Sequence, residues 1–331
     1  MNPVVHQSKS TLSRGYSFAL LSALLLSTTA ILIRYLTQNS HIDALVLAFW
    51  RDVMAAASIL LALLIIKPAL LHVTRSDLFY LIGYGFILAL FNALWTLSVA
   101  MNGAAVATVL VYSSAAFTAL LGRWLLKETL DWPKMVAVFL TICGCLLVSG
   151  LIGAAGVKAN WWGIIAGILA GLFYAVYSLM GRFASQRGLN PWTTLPYIFG
   201  FASLFLLATN LLAAGQLQGA PATAAAIFWK SGSLEGWAIL FALAVGPTLL
   251  GFATYLISLS VLPSSLANLL MTTEPVFTSI IAYLLLGERM TLIQIGGSLL
   301  ILGGVVFIRL MEGRRERLAA AAEKNILPAA D

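Results

Sequence analysis

Ten apolar runs, each roughly 20 residues long, follow one another along this chain of 331 residues. A helix of about 20 apolar residues crosses the hydrocarbon core of a bilayer, which is roughly 30 Å thick. The runs are bounded by charged residues, proline or glycine and lie at 15–36, 43–66, 78–99, 103–126, 132–152, 161–184, 192–214, 236–259, 264–286 and 291–310. We therefore predict an all-α integral membrane protein with ten transmembrane helices.

Charged side chains are too few to cover a surface that faces water. Asp, Glu, Lys and Arg make up 9% of the chain, whereas a typical soluble domain contains about 25%. The mean hydropathy of +0.96 agrees. This composition excludes soluble enzymes, nucleic-acid-binding proteins and disordered chains. The predicted partner is a lipid bilayer, and no nucleic acid is expected.

The positions of Lys and Arg predict the orientation of the chain in the membrane. With the N-terminus in the cytoplasm, 14 of the 19 basic residues fall on the cytoplasmic side and 4 on the external side, with Arg51 inside a span. Basic residues concentrate on the cytoplasmic side of membrane proteins. We therefore expect a multi-pass protein of the cell membrane whose N-terminal segment 1–14 and C-terminal tail 311–331 are both cytoplasmic.

An internal repeat is hidden in the apolar sequence. A shift of 160 residues aligns Ala105–Glu128 with Ser265–Glu288 without a gap, including a shared Phe-Thr and a shared final Glu. The repeats predicted from it cover 15–152 and 153–310. Because each contains five spans, an odd number, the second repeat must enter the bilayer in the opposite sense. Inverted repeats are typical of secondary transporters, which bind substrate near the bilayer midplane between the halves.

Several motifs resemble the drug/metabolite transporter superfamily, specifically proteins built from two EamA domains. In the first half the resemblance rests on Phe49-Trp50-Arg51 and the run Ala105–Glu128, and in the second on Glu274-Pro275-Val276-Phe277, Leu286-Gly287-Glu288-Arg289 and Gly303-Gly304-Val305-Val306. It covers about residues 15–310. The first repeat departs from the family pattern at Ser114-Ala115-Ala116, where proline is common. The resemblance implies a ten-helix bundle that exports or exchanges metabolites, with the exporters of amino acids and aromatic amino acids as one candidate branch.

Polar residues on two repeat-related spans predict the walls of a central cavity. In span 9 they share one face that includes Asn268, Thr272 and Glu274, and in span 4 the same spacing gives Thr108, Tyr112 and Ser114. Polar side chains that face lipid carry a free-energy cost, so these faces should point into the bundle. Ordinary interhelical hydrogen bonding by Ser and Thr is the alternative interpretation.

Two charged residues inside spans are the strongest functional candidates. Glu274 is the only acidic residue near the centre of a span in the second half, and it could carry a coupling proton or contact a substrate ammonium group. A structural pairing with Arg51 is the alternative. Arg51 and Asp52 are neighbours in span 2, so their side chains point about 100° apart and should not easily satisfy each other. Arg51 would then contact another acceptor, bind an anionic substrate group or extend towards the interface.

Aromatic and helix-breaking residues complete the predicted site. Trp95, Tyr174 and Tyr255 lie within spans, away from the interfaces where Trp and Tyr usually collect. Ser178 shares a face with Tyr174 and a stripe of glycines, and both are candidate wall residues that could instead be simple packing. Pro247 and Pro275 interrupt spans 8 and 9 and are the predicted hinges.

The function predicted from these features is a secondary transporter that works by alternating access on a small-molecule substrate. The family resemblance implies amino acids as the first candidates for that substrate. A GxxxxGK[ST] motif is absent, so ATP should not drive it. We predict no cofactor, metal or catalytic residue; protons are one candidate coupling ion, and oligomeric state is left open. The alternatives are export of drugs or lipids, exchange of sugar phosphates or nucleotide sugars, a channel and, least favoured, a membrane enzyme. Phosphorylated substrates fit less well because Arg51 is the only basic residue away from the span ends.

Overall fold

The structure, a computed structural model, describes residues 9–114, 117, 121, 132–148, 160–229, 232–261, 270–271 and 273–326. Within these residues every regular element is a helix, and no strand occurs. The α-helices are α1 Lys9–Asn39, α2 Ala44–Ile66, α3 Arg75–Asn102, α4 Ala104–Val111, α5 Trp132–Val148, α6 Trp161–Gln186, α7 Pro191–Leu212, α8 Leu234–Leu243, α9 Gly251–Val261, α10 Glu274–Leu286 and α11 Leu292–Ile326. A π-helical segment, Ala244–Leu250, joins α8 to α9, and short 3₁₀ helices occupy Pro68–Leu71 and Ala224–Phe228.

The helices have the length and surface of membrane spans. Among the described residues, six helical stretches are long and apolar enough to cross a bilayer, and shorter apolar helices accompany them. Large apolar side chains such as Ile65, Leu284 and Leu285 are exposed on the outside of the bundle. A helical bundle with an apolar exterior is the arrangement expected in lipid, which confirms the predicted all-α membrane fold. Each of the ten predicted spans overlaps one of these helices, but the count of ten itself stays a prediction.

Two glycines set the helix ends on one side of the bundle. Gly103 separates α3 from α4 and has a φ of +87°, which L side chains rarely adopt. A Cβ atom at this position would also lie 2.8 Å from the carboxylate of Glu288. Gly287 ends α10 with a φ of +66°, in the left-handed conformation that glycine adopts most easily. Both turns therefore favour glycine.

The helix contacts have equivalents when the first and second repeats are interchanged. In the repeat, α1, α2, α4 and α5 correspond to α6, α7, α10 and α11, and α3 corresponds to α8 and α9. Helix α1 packs on α9 and α10, whereas α6 packs on α3 and α4. Helices α2, α4 and α5 each pack on their own equivalents, α7, α10 and α11. Two repeats related by a two-fold axis would produce this pattern.

One carboxylate ties the halves together on the side that the charge distribution predicts to be external. Oε1 of Glu288 lies 3.2 Å from Nε of Arg34 in α1. Oε2 accepts hydrogen bonds from the amide nitrogens of Ala104, at 3.0 Å, and Ala105, at 3.4 Å. These amides belong to the N-terminus of α4, where a negative charge is stabilised. Arg34 also donates to the carbonyl oxygen of Ala100 at the end of α3. We call Glu288, Arg34 and the two amides the Glu288 clamp.

A close approach of α5 to α11 predicts that Gly144→Ala destabilises the fold. A Cβ atom at Gly144 would lie 2.6 Å from the carbonyl oxygen of Gly297 and 2.5 Å from Cγ1 of Ile301. Because a backbone atom cannot move aside alone, we expect a loss of about 1–3 kcal/mol, which is typical of overpacking. The measurement is thermal unfolding of the purified protein in detergent.

The matched control for this prediction is Gly83→Ala in the interior of α3. Nothing lies within 4 Å of a Cβ atom built there. Alanine is favoured over glycine in a helix interior by roughly 0.5–1 kcal/mol, so this variant should unfold at the same or a higher temperature. Equal destabilisation by both substitutions would contradict the close contact between α5 and α11.

Candidate substrate site

A cavity lies between helices of the two repeats and contains most of the predicted site residues. Its walls come from α1, α2, α3 and α4 on one side and from α6, the π-helical segment, α9 and α10 on the other. Seven predicted residues line it: Arg51, Trp95, Thr108, Tyr112, Tyr174, Tyr255 and Glu274. The tertiary structure thus brings together charged, hydroxyl and aromatic groups that are up to 223 positions apart in the chain.

The cavity is small in this conformation. About 40 Å³ is open to the centres of water-sized molecules, and one buried water needs at least about 10–15 Å³ on this measure. The space therefore fits a few waters, and a larger ligand would require the walls to move apart. A transporter that alternates between conformations provides such a movement.

Arg51 is held deep inside the bundle by its neighbour Asp52. The side chains of Arg51 and Asp52 are 1% and 0% exposed, and Nε of Arg51 lies 3.5 Å from Oδ1 of Asp52. Two expectations from the sequence are therefore wrong: the adjacent side chains do contact each other, and Arg51 does not extend to the interface. The simple angular argument did not consider the length of the arginine side chain, and Nε of Arg51 contacts the neighbouring carboxylate.

Asn92 of α3 completes this buried group. Its Nδ2 donates to Oδ1 and Oδ2 of Asp52 at 2.9 and 2.8 Å. The guanidinium carbon of Arg51 also lies 5.7 Å from the ring centroid of Trp95, one turn after Asn92, within the range of a cation–π contact. Asn92 was not among the site residues predicted from the sequence, although a polar amide in the middle of an apolar span could have identified it.

Glu274 contacts Tyr112 rather than Arg51. The Tyr112 hydroxyl lies 3.2 Å from Oε2 of Glu274 and 2.5 Å from the carbonyl oxygen of Met271. Glu274 is the first residue of α10, and Tyr112 directly follows α4, so the contact joins the two repeat-related helices. The structural pairing of Glu274 with Arg51, which the sequence left open as the alternative, is not seen among the described residues, where Arg51 contacts Asp52 and Glu274 contacts Tyr112.

Aromatic rings form one wall of the cavity. Phe91 stacks on Trp95 with ring centroids 6.2 Å apart and contacts Tyr174 at 5.3 Å. Phe252 of α9 also lines the space. Phe91 and Phe252 were not predicted, because phenylalanine faces lipid as readily as it faces a cavity and apolar sequence patterns do not separate the two.

Several buried polar atoms around the cavity have no hydrogen-bond partner within the described part of the chain. They are Nη2 of Arg51 and the hydroxyl oxygens of Thr29, Thr108 and Thr248, and all four residues line the cavity. Buried polar groups in native proteins are nearly always paired with protein or ordered water. Water or a polar ligand in this space would supply the partners that these four atoms lack.

The predicted hinges lie next to residues that line the cavity. Pro247 lies in the π-helical segment Ala244–Leu250, next to Thr248 of the cavity wall. Pro275 lies in the first turn of α10, directly after Glu274 of the cavity wall. Both prolines are therefore close to the cavity, and in some transporters broken helices form the binding site. Whether these prolines act as hinges stays a prediction.

Two of the predicted site residues are described by the structure but do not line the cavity, and two others lie outside the described part of the chain. Ser114 is buried just beyond Tyr112, and Ser178 is half-buried one turn after Tyr174, but neither is among the lining residues. Asn268 and Thr272 lie outside the described residues. No cluster of three or more potential metal ligands is present in the described ranges.

Comparison with known proteins yields one family and a group of full-length relatives. The EamA-like transporter family matches twice, over residues 13–150 and 161–310. An uncharacterised transporter of Clostridium kluyveri is 23% identical over 305 residues, covering 89% of this chain and 93% of the relative. One from Archaeoglobus fulgidus is 27% identical over 297 residues, covering 88% and 95%.

A crystal structure of a protein with 18% sequence identity superimposes with a TM-score of 0.60 and covers 92% of this chain and 99% of its own. At this identity the likeness concerns the fold alone. The two ranges that match the family include every described residue that lines the cavity.

Proposed function

Because the chain belongs to the EamA-like transporter family, we propose that it is a secondary transporter that exports or exchanges small amphipathic metabolites, with amino acids first among them. The observation that carries this proposal is the cavity between the two repeats, with its aromatic wall and its unpaired polar atoms. A site of this kind suits a ligand with both apolar and polar parts. We place the protein in the cell membrane with both termini cytoplasmic, and we propose no enzymatic activity.

Alternating access would move the halves around this central site. The Glu288 clamp joins α1, α4 and the segment between α10 and α11 on the predicted external side. A set of charged contacts at one end of the bundle supports a conformation in which that end is closed. Release of substrate to the outside would require these contacts to break, while the cavity widens.

Glu274 is proposed to carry the coupling proton or to contact a substrate ammonium group. The Tyr112 hydroxyl has one hydrogen to donate, but it faces two acceptors, the Met271 carbonyl and the Glu274 carboxyl. If Tyr112 donates to Met271, a protonated Glu274 can donate to Tyr112, and both contacts are then satisfied. The arrangement therefore supports a carboxyl that gains and loses a proton during transport.

Counterflow in proteoliposomes tests the proposed function. Liposomes that contain the full-length protein are loaded with a pooled metabolite set, and the species exchanged across the membrane are identified by mass spectrometry. A carrier saturates and supports counterflow, whereas a channel does neither. Exchange of amino acids would support the proposal, and absence of exchange across the whole pool by folded protein would contradict it.

We predict that Glu274→Gln lowers counterflow about tenfold or more and removes its dependence on pH. The amide keeps the shape of the side chain but cannot take up a proton or pair with an ammonium group, and a lost interaction of this kind is worth about 1.5–3 kcal/mol. The measurement is counterflow rate against pH for the wild type and the variant.

Glu235→Gln is the control for this prediction. Glu235 lies in the first turn of α8, at the exposed end of the helix. Its hydrogen bond with the hydroxyl of Tyr35 is long, at 3.5 Å. Its substitution should leave both the rate and the pH profile unchanged. If Glu274→Gln also leaves both unchanged, neither functional role for Glu274 stands.

Export of organic cations is a second candidate function. Glu274 and the rings of Trp95, Tyr174 and Tyr255 line the same space, and a carboxylate among aromatic rings suits a cationic drug as well as an amino acid. Sugar phosphates are less suited because Arg51 is the one basic residue among those that line the cavity. Including cations in the counterflow pool separates these possibilities.

A further inference from the structure

Arg51 lines the cavity and has one hydrogen-bond donor without a partner among the described residues. The residue is 1% exposed, lines the cavity and has no partner at Nη2 within the part of the chain that the structure describes. A guanidinium group has five N–H donors and no acceptor, and it cannot lose its charge in a protein. An unpaired donor on a buried charged group is costly, so a buried guanidinium is normally fully paired.

Asp52 and Asn92 hold the guanidinium in place without using this donor. Asp52 lies against Nε of Arg51, and its two oxygens each accept from Nδ2 of Asn92. Asp52 also supplies one negative charge that offsets the positive charge of Arg51. Nη2 therefore remains free for an acceptor, and the small net charge of the pair suits one carboxylate better than a doubly charged phosphate.

The opposite charge lies on another wall of the same cavity. Glu274 comes from α10 of the second repeat, whereas Arg51 comes from α2 of the first. Aromatic side chains, including Phe91, Trp95 and Tyr174, line the same cavity as these two charged groups. A small zwitterion with an apolar side chain would place its carboxylate, its ammonium group and its apolar part each against a matching wall.

We propose that Arg51 binds the carboxylate of the transported substrate through Nη2, with Asp52 and Asn92 as positioning residues, so that the site selects zwitterionic amino acids over amines that lack a carboxylate. This inference rests on the proposed transport function and names the residue that recognises one half of the substrate. It also assigns the ammonium group to Glu274. A substrate that lacks the carboxylate would leave Arg51 without a partner, and one that lacks the ammonium group would leave Glu274 without a partner.

Three matched probes test this assignment: phenylalanine, phenethylamine, which lacks the carboxylate, and 3-phenylpropanoate, which lacks the ammonium group. Binding is measured as ligand-induced thermal stabilisation of the purified full-length protein in detergent, because free amines cross bilayers unaided. We expect phenylalanine to bind the wild type at least about tenfold more tightly than phenethylamine, since a charge-assisted hydrogen bond is lost with the carboxylate.

The variants then show which residue causes this preference. Arg51→Gln should remove the preference for phenylalanine over phenethylamine, whereas Glu274→Gln should remove the preference for phenylalanine over 3-phenylpropanoate. Because Arg51→Gln leaves Asp52 without its cation and could fail to fold, the double variant Arg51→Gln/Asp52→Asn, which removes both charges, is measured as well. Glu235→Gln is the control and should keep both preferences.

The possible outcomes separate this inference from the proposed function. If the double variant keeps the full preference for phenylalanine, or if the wild type binds phenethylamine equally well, Arg51 does not bind the carboxylate, although transport can still stand. The same conclusion follows if counterflow identifies only substrates without a carboxylate. If no pooled metabolite is exchanged and no probe binds the folded wild type, the proposed function fails together with the inference.

Discussion

Asp52→Asn is expected to lower the free energy of unfolding by about 3–5 kcal/mol, the usual cost of removing one partner from a buried ion pair. Asp52 is fully buried, accepts both hydrogen bonds from Asn92 and is the only acid in contact with Arg51 within the described residues. The substitution leaves the guanidinium without a counter-ion inside the membrane. Thermal unfolding in detergent should show an apparent Tm lower by on the order of 10 °C.

Asp77→Asn is the matched control for this prediction. Asp77 is also an acid paired with an arginine, but its contact with Arg187 is 3.8 Å long and both side chains are partly exposed. Exposed pairs contribute about 0–1 kcal/mol, so the Tm should hardly change. The double variant Arg51→Gln/Asp52→Asn should recover part of the lost stability, because it removes the unpaired charge. A Tm that is equally insensitive to Asp52→Asn and Asp77→Asn would contradict the buried pair.

Glu288→Gln is expected to open the predicted external side of the bundle. The substitution removes the charge that binds Arg34 and weakens the hydrogen bonds to the amides of Ala104 and Ala105. Hydrogen bonds to charged groups are worth about 1.5–3 kcal/mol, and about 1.4 kcal/mol corresponds to a tenfold change in an equilibrium constant. We therefore expect the open population to rise about tenfold.

A cysteine in the cavity measures this opening. Thr108→Cys, in a background where Cys143 and Cys145 are replaced by alanine, places a thiol at a buried position that lines the cavity. A membrane-impermeant maleimide added from outside should label it about tenfold faster when Glu288→Gln is also present. Glu235→Gln should not change the labelling rate. Unchanged labelling by a folded Glu288→Gln variant would show that the clamp does not close this side.

Much of the fold was predictable because membranes impose a local rule on sequence. A span must be apolar over about 20 residues whatever its neighbours are, so the position of α1, α2, α3, α6 and α7 could be predicted from one stretch of chain at a time. The break between α3 and α4 followed from Gly103 in the same way. Span 8 is different, because the sequence indicated only that Pro247 interrupts it. The π-helical segment Ala244–Leu250 was not predicted.

The candidate site was predictable only in part. Arg51, Thr108, Tyr112 and Glu274 were predicted as site residues because they are polar residues within apolar spans. These four residues do line one cavity. Polarity did not predict their partners. The sequence argument separated Arg51 from Asp52 and considered Glu274 as one possible partner of Arg51, whereas the structure pairs Arg51 with Asp52 and Glu274 with Tyr112. Side-chain length and rotamer decide such pairings, and helix-face angles do not contain that information.

The amino-acid sequence by itself determined that this protein is a helical membrane protein with a repeated half, because the cost of polar groups in lipid acts on each segment independently. Only the tertiary structure decided that Asn92 holds Asp52, that Arg34 meets Glu288 across 254 positions of the chain and that an arginine donor is left free at the cavity. These contacts join helices that are far apart in sequence. Their distances depend on how whole helices pack against one another, which is a property of the assembled bundle.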